Sequence, residues 1–179
     1  MATFAKSLEL NRERGDRLNE AMVLGNMAGL YSAAGELETA ERTAKESVAI
    51  AKEIGAHSVL PTGQTALAEI CLRQGRDTEA RVWARTAAET CRSMGIPPSQ
   101  IALLYGILEI RSGDRRKGLA WVGFTRAHDP NKMEIAAAIR SFWSVIRGDD
   151  SEEEVEAAMR GGEGLKLEEI LAEAEAGGA

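Results

Sequence analysis

The 179-residue sequence has few of the residues that usually build metal sites, disulfide frameworks and membrane spans. It contains two histidines, His57 and His128, and neither has a cysteine, a second histidine or paired carboxylates at ligand spacing. We expect both histidines to lie exposed at turns. No apolar run reaches the roughly 18 residues that a membrane span needs, and the N-terminus lacks the apolar segment of a signal peptide. We therefore expect no metal, no membrane partner and, by default, a cytoplasmic location.

Cysteine is scarce as well, because the chain has only Cys71 and Cys91. Two cysteines in a chain of this length are not a disulfide framework. On predicted helices they stand at very different distances from the turn between them, so we expect no intrachain disulfide and two small core residues.

Positive charge is in the minority, with 22 lysines and arginines against 28 aspartates and glutamates and a formal net charge of -6. A nucleic-acid or anionic-membrane surface needs clustered positive charge, which is not found here. The basic stretch from Arg111 to Lys117 is flanked by acidic segments, so we interpret it as a solvated helix face. We expect no nucleic-acid partner.

Motifs of catalysis and phosphate binding are also missing from the sequence. It has no G-x-x-x-x-G-K-[ST], no G-x-S-x-G and no H-E-x-x-H. The glycine-rich run at 161–164 follows no predicted strand, so we interpret it as a flexible linker rather than a phosphate loop. We expect no catalytic residue, no cofactor and no enzymatic activity.

Helix-forming residues dominate what is present. Alanine, leucine, glutamate and arginine are abundant, 44% of the residues are hydrophobic, and no stretch alternates with period two. The three tryptophans, Trp83, Trp121 and Trp143, all fall on predicted helices and are expected to pack in the core, with Trp143 partly exposed. The predicted fold class is all-α.

Two interleaved glycine series divide the chain into repeats. One series is Gly15, Gly55 and Gly95, and the other is Gly35, Gly75 and Gly113, with spacings of 40 residues except for one of 38. The series alternate about every 20 residues, which is typical of a helix, turn, helix, turn pattern. Glycine at these points takes the left-handed conformation that ends a helix without a steric penalty from Cβ.

Small residues recur at fixed positions around these turns. Five residues after the glycines of the second series stand Ala40, Ala80 and Gly118, and seven residues before them stand Ala28, Ala68 and Gly106. A small side chain at both places lets two consecutive helices approach closely. We predict that neighbouring helices cross at these positions.

The combined pattern of large-x-x-Leu-small-x-x-aromatic, glycine and a later alanine resembles the tetratricopeptide repeat. The repeat at 24–40 fits best, while Cys71 and Glu109 stand where an aromatic is usual. The period of 40 rather than 34 is similar to the repeats of bacterial regulators with central ATPase modules and of tetratricopeptide-bearing transcriptional activators. The resemblance spans about residues 4 to 128 and implies a right-handed α-α superhelix of three helix pairs.

The predicted elements divide the chain into a repeat domain, 1–148, and a tail of short helices, 149–179. An unpaired helix at about 3–14 comes before the three pairs. A further helix at about 131–147 is expected to begin with Asp129 as cap and Pro130 at the first position. The predicted helices in order are 3–14, 17–34, 37–54, 58–74, 77–94, 98–112, 115–128, 131–147, 151–160 and 165–171.

The segment from Gly118 onwards resembles the closing segment of the same bacterial regulators, and the chain begins half-way through a repeat. Either Phe4, Leu8 and Leu10 form a genuine N-terminal cap, or the chain is a fragment or stand-alone relative of a larger regulator. We favour the second interpretation, because an unpaired helix cannot bury its apolar side alone.

The resemblance implies that the first helix of each pair lines a concave surface that binds a protein or peptide. This surface lacks the Lys/Arg/Asn clamp that chaperone-tail binders of the family use, so we do not expect a terminal carboxylate as ligand. The hypothesis is a protein-interaction scaffold or sensor module, and the alternative is a structural solenoid that self-associates into a homo-oligomer through its exposed N-terminal helix. The sequence does not identify the partner. The predicted groove residues are Met22, Gly25, Gly29, Ser32, Thr62, Thr65, Glu69, Arg73, Gln100, Leu103, Ile107 and Arg111.

Overall fold

The computed structural model of the protein describes residues 2–177, and within this range it contains helices and no strand. The predicted all-α class is thereby confirmed. A short 3-10 turn, His57–Val59, precedes the fourth helix. The α-helices are α1 (Ala2–Arg14), α2 (Arg17–Ala33), α3 (Leu37–Glu53), α4 (Leu60–Arg73), α5 (Asp77–Ser93), α6 (Ser99–Ser112), α7 (Arg115–His128), α8 (Lys132–Ser141), α9 (Trp143–Arg147), α10 (Glu152–Arg160) and α11 (Leu167–Ala176).

The glycines of both series end helices, as the sequence predicts. At the turn between α2 and α3, Gly35 has a φ of 82°, a conformation that side chains with Cβ rarely adopt. The amide of Glu36 then reaches back to the carbonyl oxygen of Tyr31 at 2.9 Å, which satisfies one of the free carbonyls at the end of α2. The glycines of the two series with positive φ are Gly15, Gly35, Gly55, Gly75, Gly95 and Gly113.

The chain forms two compact units, residues 1–97 and residues 98–179. The boundary therefore falls between Pro97 and Pro98, whereas the change in composition suggested a division after residue 148. The reason is that α10 packs on α7 and α11 packs on α6, so the predicted tail belongs to the second unit.

The first unit consists of helix hairpins that stack through small residues. Helix α2 packs on α3, α4 packs on α5, and α2 and α3 both contact α4, while α1 packs on α2. The side chains of Ala28 and Ala40 in the first hairpin and of Ala68 and Ala80 in the second are completely buried. Burial of all four alanines is what the predicted close approach of consecutive helices requires.

The second unit is built on a crossing of α6 and α7 at two glycines. A Cβ atom at Gly106 would lie 2.8 Å from the carbonyl oxygen of Gly118, and one at Gly118 would lie 2.4 Å from that of Gly106. Both distances are shorter than van der Waals contact, so only glycine permits this approach. The close crossing predicted for Gly106 and Gly118 is confirmed.

The closing segment differs from its prediction in several places, and its last helix, α11, ends at Ala176 rather than at 171. The predicted single helix is divided into α8 and α9, because the helical conformation is interrupted at Phe142. The side chain of Phe142 is buried. Asp129 is not the cap of α8, which begins at Lys132; it is buried, accepts a hydrogen bond from the hydroxyl of Ser99 and accepts another from the amide of Asn131 at 2.8 Å. The capping box at Ser151 and Glu154 is present as predicted.

The glycine run at 161–164 also differs from the flexible linker that the sequence suggests. Gly162 is buried, and a Cβ atom there would lie 1.7 Å from the carbonyl oxygen of Ala120 in α7. Gly123, one turn further along α7, makes a similar contact with the backbone of Met159 in α10. Backbone packing at these glycines holds α10 against α7.

Across residues 2–177, every helix is too short or too polar to cross a lipid bilayer.

Candidate interaction surface

An uncharged face of α2 is exposed in the first unit. At about 100° per residue, its members fall within an arc of about 120° around the helix axis. Three of them are large apolar side chains with high exposure, namely Leu18 at 44%, Met22 at 45% and Leu30 at 41%. We call this surface the α2 face, and its exposed residues are Leu18, Asn19, Met22, Asn26, Gly29, Leu30 and Ala33.

Gly29 leaves one part of the α2 face without a side chain. A Cβ atom placed on this residue would have no heavy atom within 4 Å, so no packing contact explains the glycine. Glycine in the middle of a helix costs roughly 0.5–1 kcal/mol relative to alanine. The low surface that it leaves between Met22 and Ala33 along the helix gives room for the backbone or a large side chain of another molecule.

Helix α4 contributes polar groups to the same unit. Thr62 is exposed, while Thr65, Glu69 and Arg73 are half-buried. The guanidinium of Arg73 donates to the carboxylate of Glu69 at 2.9 Å, an ion pair between residues one turn apart. Within α4, the predicted groove positions therefore carry two threonine hydroxyls followed by an ion pair.

Two of the predicted groove residues in the first unit are packing residues instead. Gly25 is buried, and a Cβ atom there would come within 3.2 Å of both Ser47 in α3 and Thr62 in α4. Ser32 is also buried, at 1% exposure. Burial keeps both residues from the surface that a partner would contact, and Gly25 in addition lies where α2 meets α3 and α4.

The groove residues predicted on α6 also need correction. Leu103 and Ile107 are 2% and 0% exposed, because α6 is covered by α7, α9 and α11 and presents apolar residues all around its axis. Gln100 and Arg111, near the two ends of α6, are half-buried. The alignment places these residues at groove positions, but the central two belong to the core of the second unit.

A buried carboxylate fixes the first two helices in the first unit. Glu20 of α2 is 3% exposed and accepts hydrogen bonds from Arg12 of α1 at 2.8 Å and from Arg17 at 2.7 Å. The same two arginines also donate hydrogen bonds to α3. Arg12 donates to Glu46 at 2.6 Å and Arg17 donates to Glu53 at 2.9 Å. Burial alone would raise the pKa of Glu20, but the hydrogen bonds from Arg12 and Arg17 outweigh it and hold the pKa below its usual value.

Within residues 2–177, the cysteines and histidines form neither an activated nucleophile nor a metal site. Cys71 and Cys91 are free and buried, and burial raises the pKa of each thiol, so neither is an activated nucleophile. His57 and His128 are exposed as predicted, and the ring of His128 stacks on Phe124 with centroids 4.5 Å apart. No three His, Cys, Asp or Glu side chains in this range are grouped to hold a metal ion.

The tryptophans follow their prediction in part. Trp121 is buried in α7 beneath the ammonium group of Lys117, which lies 5.4 Å from the ring centroid and 2.7 Å from the carboxylate of Glu109. Trp83 is half-buried against the core of the first unit. Trp143 is half-buried and lines a surface cavity of the second unit.

Comparison with family models, with curated proteins and with solved structures gives no match for this chain.

Sequence reasoning missed Leu18 and Leu30 as members of the exposed surface. Both lie on the side of α2 that carries Met22, four residues before it and eight residues after it. Helical periodicity around Met22 would have identified them, whereas the repeat alignment selects only fixed positions and passes over both.

Proposed function

We propose that this chain is a protein-interaction module whose α2 face binds an amphipathic segment of a partner protein. The observation that carries the proposal is the exposure of Leu18, Met22 and Leu30 on one uncharged face of one helix. Exposed apolar side chains that gather on one face of a helix favour an interaction site over randomly scattered surface positions. A helix of the partner would place its own apolar anchors between these side chains, as amphipathic helices do in hydrophobic grooves.

The neighbouring helix supports a defined orientation for the bound segment. The hydroxyls of Thr62 and Thr65 on α4 offer hydrogen-bond donors and acceptors, and Glu69 and Arg73 offer opposite charges at the far end of that helix. Polar groups around an apolar centre supply specificity more than affinity. The proposed ligand is therefore a segment with an apolar stripe and polar flanks.

We place this module in a tetratricopeptide-like right-handed superhelix, within or related to a bacterial signalling or transcriptional regulator of the cytoplasm. The support is the 40-residue repeat of the sequence, together with the packing in the first unit, where α2 contacts both α3 and α4. The buried, free thiols of Cys71 and Cys91 are compatible with a reducing compartment.

The test begins with peptides selected from a displayed random library against the immobilised full chain. Calorimetric titration then compares the wild type with Met22→Glu and Leu30→Glu, which put a carboxylate into the apolar contact. We expect a loss of affinity of about tenfold or more for each variant, because an unpaired charge at a buried contact is costly. Val82→Glu on α5, a 60% exposed position outside the α2 face, is the matched control and should change affinity less than about twofold.

Equal affinity of the wild type and both α2 variants would contradict the proposal. So would a selection that enriches no peptide on the folded chain over the denatured chain.

Self-association through α1 is the second candidate function. Phe4 and Leu10 on α1 are only half-buried, although Leu8 packs against the core of the first unit. Light scattering over a concentration series tests this candidate. Self-association predicts that the mass of the wild type rises with concentration and that Phe4→Glu keeps the mass of a monomer. A constant monomer mass contradicts it.

A further inference from the structure

A surface cavity of about 470 Å³ lies in the second unit, between the C-terminal end of α7 and the helices α8 and α9. We call it the α8 pocket, and none of its residues belongs to the α2 face. Its volume falls in the range of about 300–1,000 Å³ that is usual for small-molecule sites. The lining residues are Arg126, Lys132, Ala136, Ile139, Arg140 and Trp143.

The apolar part of the α8 pocket is formed by Ala136, Ile139 and Trp143. Ile139 is buried at 8% exposure, and Trp143 and Ala136 are half-buried. The indole ring offers a flat surface on which an aromatic or aliphatic group can pack. This part of the pocket suits an uncharged hydrocarbon body rather than a bare inorganic anion.

The charged part contains three cations and no carboxylate among the lining residues. Two of these cations are already engaged within the protein. Arg126 donates to both carboxylate oxygens of Glu156, at 2.7 and 2.9 Å. Lys132 donates to the carbonyl oxygens of Arg126 and Ala127, at 2.9 and 2.6 Å, and thereby caps the end of α7.

Arg140 differs from the other two cations. It is exposed, and its guanidinium makes no hydrogen bond or ion pair with any residue in the described range 2–177. The pocket thus combines an apolar surface with one unengaged cation at its edge. A guanidinium binds oxyanions such as carboxylate, phosphate or sulfonate through two parallel hydrogen bonds, so this cation suits an anionic group that has two oxygens free to accept.

We propose that the α8 pocket binds a small amphipathic organic anion, with its apolar body on Ile139 and Trp143 and its anionic group on Arg140. The unengaged charge of Arg140 complements an anion, and because the chain as a whole carries a net charge of -6, the anionic group must contact this guanidinium directly. This inference is independent of the α2 face and of the peptide partner.

The test uses two fluorescent probes that share one aromatic body. Anilinonaphthalene sulfonate carries the anionic group, and N-phenylnaphthylamine is its uncharged analogue. Titration of the full chain should give tighter binding of the sulfonate, by about tenfold, because one charge-assisted hydrogen-bonding pair is added. Equal affinities of the two probes would show non-specific apolar binding and would overturn the proposal.

Three variants locate the site. Arg140→Gln should weaken sulfonate binding about tenfold and leave the neutral probe within about twofold. Trp143→Leu should weaken both probes, since it removes the shared packing surface. Arg116→Gln, at an exposed arginine of α7 outside the pocket, is the matched control and should change neither affinity.

Circular dichroism melts of each variant separate loss of the site from loss of the fold. Arg140 is exposed, so Arg140→Gln should melt as the wild type does. Sulfonate affinity that is unchanged in folded Arg140→Gln, or reduced equally in Arg116→Gln, would overturn the proposal.

Discussion

At the scale of single residues, Glu20 is a buried charge that joins the first helices of the first unit. It is a buried carboxylate with two arginine donors, and through Arg12 it attaches α1 to α2. Removing the charge leaves two guanidinium groups without their shared acceptor. Because both arginines are about half-exposed and can be solvated by water, the loss is smaller than for a fully buried pair.

Glu20→Gln should lower the free energy of unfolding by about 1–2 kcal/mol at neutral pH. The pKa of Glu20 is held below its ordinary value in the folded state, so its stabilising contribution is fully present above the unfolded-state pKa, about 4.3. The contribution is lost as the pH falls through the folded-state pKa. Urea unfolding at pH 7 and pH 3 should therefore show the difference between wild type and variant shrinking at the lower pH.

Glu89→Gln, at an exposed position of α5, is the matched control for this titration. It should change the free energy of unfolding by no more than about 0.5 kcal/mol at either pH. A constant difference between wild type and Glu20→Gln from pH 7 to pH 3 would contradict the assigned role of this carboxylate.

At the scale of helices, the contact of α7 with α10 depends on glycine at two positions. A Cβ atom on Gly123 would lie 1.9 Å from the carbonyl oxygen of Met159, which is backbone and cannot rotate away. The contact of Gly162 with Ala120 repeats the arrangement one turn earlier along α7. These two contacts bring the acidic segment after residue 148 into the second unit.

Gly123→Ala should destabilise the second unit by about 2–3 kcal/mol, because α10 must move away from α7 to accommodate the methyl group. Gly29→Ala on the α2 face is the matched control, since its methyl group meets nothing within 4 Å. That control should stabilise the protein by about 0.5–1 kcal/mol through helix propensity alone. Thermal melts and urea curves should show changes in the free energy of unfolding of opposite sign for the two variants. A stabilised Gly123→Ala would contradict the close contact.

The helices were predictable from sequence where their signals are local. Turn glycines such as Gly35 and Gly75 fix their helix ends within about one residue, because a positive φ next to a polar segment leaves few alternatives. The helix cap predicted at Asp129 and the flexible linker predicted around Gly162 are wrong. Asp129 is bonded by Ser99 and Gly162 packs on Ala120, and both partners lie far away along the chain. Tertiary contacts of this kind leave no periodic signal.

The candidate surface was predictable only in part for the same physical reason. Met22, Gly29 and Thr62 are exposed as the repeat alignment requires, but Leu103 and Ile107 are buried. The alignment assumes that every first helix has one open side, whereas α6 is covered by α9 and α11 from the closing segment. The helix-to-helix packing of the closing segment could not be read from its loose motifs.

At the scale of the whole molecule, each compact unit has its own packed interior. One core cluster of the first unit is drawn entirely from residues before Pro97, with alanines at the helix crossings and Leu24, Val48 and Leu67 between them. A unit with its own core is expected to fold on its own.

Residues 1–97 expressed alone should therefore unfold in one cooperative transition. Trp83 is the only tryptophan in this range, so its fluorescence reports the core while circular dichroism reports the helices. Both signals should share one urea midpoint, as two-state unfolding requires. Separate midpoints, or no transition, would contradict an autonomous first unit.

The most direct measurement of the central claim is a methyl NMR titration of methionine-labelled full chain with a peptide selected as described above. Met22 lies on the α2 face, Met27 and Met159 are buried, and Met133 is 88% exposed on α8. The proposed function predicts that the Met22 methyl signal shifts first and furthest, while those of Met133 and Met159 stay in place. A peptide that binds tightly yet shifts Met133 and leaves Met22 unchanged would contradict it.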